Sequence, residues 1–429
     1  MQRLAMVGSA PARLCMAAAH AGASDEAVVI LDQGLVSAGS FALTAALARL
    51  LPLDDFGLYT LVMALVWLFV DLQAATIGAP YVVNRCKLPR WKRSAFFGSA
   101  VMHQGGMAVL AMAVAAVAVA LQGAGAGAVG LAAPCAVALL LFRDQMRRFF
   151  VVHGLLRRCL AFDAAVLALW TAGLAAGVAL ERFTLAWGFG AAALACAVPC
   201  ALWLPSLGRV HARVPLALRH WRDNWKVARW MVLSGAMWSL ATVAYPWTIS
   251  AAQGPAGAGL WAAALGLSGL CNVPLAALQN HAAVRIAAVS PRSLAGEVAG
   301  RGLRLAVLAA GFTVMFAVAG ERLVTLLYGA SFTAAAPLAV ALTLNLAIGS
   351  ASFCVSRGLF ALGRGGADCA VNAIPLAGFA LAGAWATVGF GPAGAAVCFL
   401  ASNVLAFAVR AAVLRAALRE ALPSKDEPA

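Results

Sequence analysis

Residues 57–93 read GLYTLVMALVWLFVDLQAATIGAPYVVNRCKLPRWKR. The first part, 57–82, is apolar apart from Asp71 and a few small polar residues, and it exceeds the ~20 residues with which a helix crosses a bilayer. The second, 83–93, gathers Arg85, Lys87, Arg90, Lys92 and Arg93 in a short junction. An apolar span running into a basic junction reads as a transmembrane helix ending in the cytoplasm, where loops carry an excess of Lys and Arg. Outward from this stretch the pattern recurs. Twelve apolar segments fall at 28–50, 57–82, 94–121, 124–142, 161–180, 184–204, 230–252, 257–281, 303–320, 334–356, 367–388 and 393–409. Alternate junctions and the two termini hold all but Arg49, Arg182 and Arg322 of the 31 Lys and Arg. Both termini are therefore expected in the cytoplasm.

Composition points the same way, since 63% hydrophobic and 11% charged residues with mean hydropathy +0.89 exclude a water-soluble globule of 429 residues. The net charge of +15 lies in juxtamembrane loops, where it serves topology and anionic lipid headgroups; no nucleic-acid partner is expected. Cys135, Cys196, Cys200, Cys271, Cys354 and Cys398 sit inside apolar segments as small hydrophobes, and no cysteine or histidine spacing suggests a metal or another cofactor. Residues 1–27, with Arg3, Pro11 and Arg13 in an Ala-rich run, read as a disordered cytoplasmic extension or as an over-long start ahead of Met16. The rest divides into an N-lobe at 28–204, a basic cytoplasmic linker at 205–229, a C-lobe at 230–414 and a cytoplasmic tail at 415–429.

The halves resemble each other. Arg148-x5-Gly154-x2-Arg157 followed by Asp163 matches Arg357-x5-Gly363-Arg364 followed by Asn372. Phe56-Gly57-Leu58-Tyr59 matches Ala258-Gly259-Leu260-Trp261, Arg85 matches Arg285, and Val36-Ser37-Ala38-Gly39-Ser40 is similar to Leu233-Ser234-Gly235-Ala236. All recur at a spacing of about 200 residues, the mark of a duplicated unit. An even number of helices returns the chain to its starting side. Duplication therefore predicts an all-α polytopic membrane protein of two parallel pseudo-symmetric six-helix lobes, with cargo bound in the crevice between them during alternating access. Gly34, Gly39 and Gly235 are hinge candidates or ordinary packing positions. Pro246, after Tyr245 in the seventh helix, marks a bend at the crevice.

Asp71 is the acid that lipid tolerates least, since a carboxylate at the bilayer centre costs roughly 2.5–3.5 kcal/mol. With Trp67 and Ala75 a turn away, it reads either as a coupling or substrate-contacting group or as a buried structural pair. Asp32 and Gln33 open the first helix, and Asp32, Ser40 and Thr44 at helical spacing predict a polar path along it. Arg49 either receives an anionic substrate or anchors, paired with Asp54 or Asp55. At the end of the fourth helix, Arg143, Asp144, Arg147 and Arg148 stand at i,i+4 spacing, as a gate and access point for a phosphate-bearing headgroup or as a topological anchor. Asn272, Gln279, Asn280 and Asn345 are further polar candidates.

Leu31-Asp32-Gln33-Gly34-Leu35-Val36-Ser37-Ala38-Gly39-Ser40-Phe41, Ala48-Arg49-Leu50 and Phe56-Gly57-Leu58-Tyr59 resemble the opening of bacterial polysaccharide-biosynthesis transporters. These include the O-antigen flippases of the multidrug/oligosaccharidyl-lipid/polysaccharide exporter superfamily. Arg143-Asp144-x2-Arg147-Arg148-Phe149-Phe150 with Gly154, Arg157 and Asp163 is similar to that family's fourth-to-fifth helix junction, which adds Asp163 to the candidate gate; Arg85, which closes the second segment, is a further gate candidate. The resemblance implies a V-shaped transporter in the bacterial inner membrane that flips a lipid-linked oligosaccharide or polysaccharide precursor outward. Proton or sodium coupling would run through a group such as Asp71, whose carboxylate changes surroundings during alternating access, and membrane lipids and glycan-assembly proteins are the expected partners. The alternative is a cation-coupled multidrug or organic-cation antiporter of the same superfamily. A glycan polymerase or ligase is disfavoured because the outward junctions are short and offer only Asp54, Asp55, Glu181 and Glu321 as acids. No catalytic residue is expected.

Overall fold

In the computed structural model, residues 23–421 are described except Ala126, Arg209 and Ala212, and every apolar segment read above lies mainly on helix. Helix is what lipid demands, because it satisfies each backbone N–H and C=O within the segment. The first lobe-equivalent runs α1 (Ala23–Leu50), α2 (Leu53–Gln73), a π-helical turn (Ala74–Gly78), α3 (Ala79–Lys87), α4 (Arg90–Leu121), α5 (Ala128–Val152), α6 (Leu156–Ala179) and α7 (Leu185–Leu207). The second runs α8 (Val214–Gln253), α9 (Pro255–Ala288), α10 (Pro291–Tyr328), a 3₁₀ turn (Ala330–Phe332), α11 (Ala335–Ala361), α12 (Gly365–Val371), α13 (Ala373–Gly378), a second π turn (Phe379–Gly383) and α14 (Ala384–Ala421). Among the described residues nine helices are long and apolar enough to cross a membrane, and two bent pairs bring the count to 11. The longest of these stretches, Gly365–Ala421, holds both the eleventh and the twelfth expected spans, parted at Gly391 with φ 61°. The chain is a multi-pass membrane protein.

Several helices outrun the apolar segments. The 38 residues of α10 rise about 57 Å against ~30 Å of hydrocarbon, so its basic first turns stand clear of the membrane core. Residues 214–229 of the expected linker are helical, as are the last residues of the expected N-terminal extension from Ala23 onward. Residues 1–22 of that extension and 422–429 of the tail lie outside the described residues.

The duplication is visible in backbone geometry. After α5, Gly154 (φ 72°) donates to Val151 at 3.0 Å and Leu155 to Phe150 at 2.9 Å; after α11, Gly363 (φ 73°) donates to Phe360 at 3.0 Å and Arg364 to Leu359 at 2.9 Å. Both are Schellman ends, which need a left-handed residue that glycine supplies without strain. The matched glycines of the sequence repeat therefore end matched helices.

The fold divides into two compact units, one comprising the chain to Leu43 with Leu65–Leu233, the other Thr44–Ala64 with the chain from Ser234 onward. The first packs α5 against α4 and α7, and α6 against α7. Its core includes Tyr81, Phe149, Phe150, Phe162 and Phe189, with the Tyr81 and Phe96 rings stacked at 5.4 Å. The second packs α11 against α9, α10 and α14, around Leu275, Ile286, Leu294, Leu305, Cys354, Leu359 and Leu414. Within it, the start of α2 crosses the start of α9 backbone to backbone. A Cβ on Gly57 would overlap the Pro255 carbonyl, and one on Gly259 would lie 3.3 Å from the Gly57 nitrogen. The residues aligned by the repeat thus touch each other.

Arg49 also belongs to this unit, and its role is one that spacing did not reveal. It neither pairs with Asp54 or Asp55 nor faces an open anion site: its Nε donates to the Leu327 carbonyl at 3.0 Å and its Nη2 to that of Leu326. Those carbonyls belong to the last turn of α10, where intrahelical donors run out and the helix dipole is negative. Arg49→Ala should lower unfolding stability by about 1 kcal/mol in detergent melts, with Arg49→Lys recovering part of it.

Candidate functional site

In the first unit, α1, α5 and α6 bring four charges together. Arg143 and Arg147, one turn apart on α5, both reach Asp163 on α6. Arg143 Nη2 donates to Oδ1, and Arg147 Nε to Oδ2 at 2.5 Å. Arg147 Nη2 also donates to Oδ2 of Asp32 on α1 at 2.8 Å. Asp163 is 1% exposed and Asp32 9%. Two carboxylates between two guanidiniums are balanced in charge, and that balance makes their burial tolerable. The match is incomplete, because Asp32 Oδ1 and Arg143 Nε are buried without a hydrogen-bond partner among the described residues. The Cys159 thiol lies 3.8 Å from Asp163 Oδ2 and 4.0 Å from Asp32 Oδ2. Asp32, Cys159 and Asp163 hold ligand-type atoms within 4.8 Å of one another. A cation there would meet two guanidiniums already bonded to the carboxylates, so the arrangement is an ion-pair network.

Arg143 and Asp163 form one wall of a small cleft of about 30 Å³, whose other walls include Leu35, Val36, Gly39, Ser40 and Leu43 of α1 and Val166, Leu167 and Trp170 of α6. Gly39 shapes it, because a Cβ there would come 2.7 Å from Leu167 Cδ2. The other two hinge glycines differ: Gly34 and Gly235 have nothing within 4 Å of a Cβ position, so neither is a close-packing point. Pro246 lies within the Met231–Gln253 part of α8, and the 71° bend of that helix falls earlier, between Lys226 and Met231, rather than at the proline. Gln33 is exposed beside the buried Asp32, its Nε2 3.4 Å from Ser37 Oγ.

A second polar set runs from α5 toward α2 and α4. Asp144 Oδ2 accepts from Arg148 Nε at 2.8 Å and from Gln73 Nε2 at 2.8 Å, and Gln104 Nε2 donates to Gln73 Oε1 at 3.0 Å. Gln73 and Gln104 are fully buried. Directly after Gln73 the π turn adds a residue to the helix repeat, which undoes the face expected for Asp71: Asp71 and Trp67 are exposed, whereas Ala75 is buried. Arg85 approaches the Val152 carbonyl at 3.5 Å. Burial, assisted by the Arg85 charge, pushes the His153 imidazole down to about 4. It is therefore neutral, hydrogen-bonded through Nε2 to the Tyr81 hydroxyl at 2.9 Å.

The second unit carries a counterpart that sequence reasoning missed. Arg410 of α14 donates from Nε to Asp368 Oδ1 at 2.7 Å, from Nη1 to Ser352 Oγ and from Nη2 to Asn372 Oδ1 at 2.6 Å. Ser356 donates to Asp368 Oδ2 at 2.9 Å. In the repeat alignment that pairs Arg148 with Arg357, Ser352 and Ser356 stand where Arg143 and Arg147 stand, and Asn372 where Asp163 stands. The acid has moved one turn along to Asp368, and its cation comes from a different helix. The alignment of Asp163 with Asn372 was the signal; Arg410 read only as a topological charge. Tyr245 is fully buried among Trp261 (5.8 Å between centroids), Phe379 (4.9 Å) and Phe399 (5.4 Å), a packing position with no exposed surface.

No protein-family profile and no curated protein sequence matches the chain. Solved structures do. An inward-facing multidrug-resistance MATE transporter of the MOP superfamily is similar over 91% of this chain and 98% of its own, with TM-score 0.70 and 12% identity. The lipid II flippase MurJ in an inward closed conformation is similar over 92% of this chain and 89% of its own, with TM-score 0.70 and 9% identity. A MATE transporter of Vibrio cholerae follows at TM-score 0.58 and 13% identity, covering 92% and 97%. At such identities the likeness establishes the fold, which is that of these transporters.

Proposed function

We propose that this protein is an inner-membrane flippase that moves a lipid-linked oligosaccharide or polysaccharide precursor outward by alternating access, coupled to protons or sodium, with both termini in the cytoplasm. The observation that carries this reading is the cleft wall of Arg143 and Asp163, with Arg147 behind it. The N–H donors of Arg143 and Arg147, held in this state by Asp163 and Asp32, suit a phosphate-bearing headgroup that takes the place of a carboxylate when the network opens, whereas an organic cation would find both carboxylates already paired. Asp32, balanced against Arg147, is the coupling candidate. The flippase motifs around Asp32 and Arg143 and the similarity to MurJ support the same reading.

The MATE neighbours support an organic-cation antiporter equally well, and a specific observation favours it: Asp71 and Trp67 are exposed one turn apart, a carboxylate and an indole suited to a cationic drug. Reconstituted proteoliposomes discriminate the two. Transbilayer movement of a polyprenyl-pyrophosphate oligosaccharide without ethidium efflux supports the flippase, and the reverse supports the antiporter. In the ethidium assay Asp71→Asn should reduce transport at least tenfold while leaving insertion and folding intact. Wild-type rates in that variant would remove Asp71 from the mechanism.

A further inference from the structure

The structure has a second groove that the transport site does not use, formed where the first turn of α6 meets the last turns of α7. It is open, about 390 Å³, and lined by Arg158, Leu202, Trp203 and Ser206. We propose that it is a binding site for an anionic phospholipid, with the headgroup phosphate on Arg158 and an acyl chain along Leu202.

Charge is the first ground. Arg158 and its neighbour Arg157 are both exposed, neither has an ion-pair partner among the described residues, and the first turn of α6 contains no acid. Three arginines at the neighbouring end of α5 are engaged instead: Arg143 and Arg147 hold Asp163, and Arg148 holds Asp144. Arg158 also stands at a helix N-terminus, which is positive and whose cap residue Leu155 makes no side-chain bond. The groove is thus a concentration of uncompensated positive charge, complementary to a phosphate diester.

Its other walls match the rest of a lipid. Trp203 is held by an edge contact of its ring with Phe162 at 6.2 Å, and Ser206 donates to the Trp203 carbonyl at 2.7 Å. A fixed indole at a span end sits where Trp is enriched in membrane proteins, between headgroups and chains. Leu202 is 68% exposed on the apolar side. Cation, indole and exposed leucine thus line one groove, a set of partners suited to the phosphate, glycerol and chain of a phospholipid. A small soluble anion would use the first of these and leave the others bare. This site does not depend on which cargo the transporter moves.

The test is thermal unfolding of the full-length protein in phosphatidylcholine nanodiscs with increasing phosphatidylglycerol, with inorganic phosphate added to a parallel series. Saturable stabilisation by phosphatidylglycerol, about 3–5 °C, is expected, because a ligand that binds only the folded state raises its melting point. Arg158→Gln should melt like wild type in pure phosphatidylcholine and lose at least half of that shift. Ser206→Asp, which puts a carboxylate on the exposed edge of the groove, should lose it too. Arg292→Gln, at an exposed arginine of the other unit, should retain it. The proposal is overturned if Arg158→Gln and Ser206→Asp keep the full shift, if Arg292→Gln loses as much as they do, or if inorganic phosphate alone reproduces the stabilisation.

Discussion

Gly57→Val should leave almost no folded protein in the membrane, and even Gly57→Ala should melt far below wild type. At this glycine the obstacle is backbone: an added Cβ would overlap the carbonyl of Pro255, and its nearest atoms are the O, C and Cα of that residue. Side chains can rotate away from an intruding methyl, whereas the first residue of a helix cannot shift without moving α9. Overpacking a core ordinarily costs about 1–3 kcal/mol, and a backbone clash belongs at or above the top of that range. Gly259, one turn further along α9, faces the same crossing, since a Cβ on it would lie 3.3 Å from the Gly57 nitrogen. Gly105→Ala is the control, because nothing lies within 4 Å of its Cβ position and alanine favours a helix interior over glycine by roughly 0.5–1 kcal/mol. Fluorescence-detected size exclusion and thermal melts of the pair decide the matter. Equal melting points for Gly57→Ala and Gly105→Ala would mean that α2 and α9 do not cross this closely.

The second large effect is expected at Asp163. Asp163→Asn removes the charge that faces both Arg143 and Arg147, leaving a partly buried guanidinium without its counter-charge. Removing one partner of a buried pair costs about 3–5 kcal/mol, most of it the desolvation of the charge left behind. Arg143→Ser combined with Asp163→Asn should recover much of this, because it removes one charge of each sign and leaves Arg147 paired with Asp32. A double-mutant cycle reads the effect as a coupling energy. Strictly additive losses would show that these residues do not form one network. Serine is the residue that the second unit uses at the matching position, Ser352, where it accepts from Arg410.

Much of the architecture was legible because each of its signals is local. Gly154 and Gly363 announced matched helix ends and proved to have the same backbone geometry. The motif at Arg143, Arg147 and Asp163 named residues that do meet. Other signals were ambiguous for physical reasons. Asp71 was given a face with Ala75 by the ordinary helical repeat, and the π turn at Ala74–Gly78 breaks that repeat. Arg49 looked free to meet phosphate, but the carbonyls it caps lie far along the chain at Leu326 and Leu327. Arg410 resembled every other basic residue at a helix end until α14 placed it on Asp368.

The amino-acid order alone determined the number of apolar segments, their alternation with basic junctions and the duplication. Lipid acts on each residue separately, so burial cost and charge bias accumulate along the chain without reference to distant contacts. Only the tertiary structure decided which charges neutralise each other, which glycines are crossing points and which arginines remain uncompensated. Those outcomes depend on how each helix is rotated against its neighbours, and rotation is set by side-chain packing across elements rather than by spacing within one.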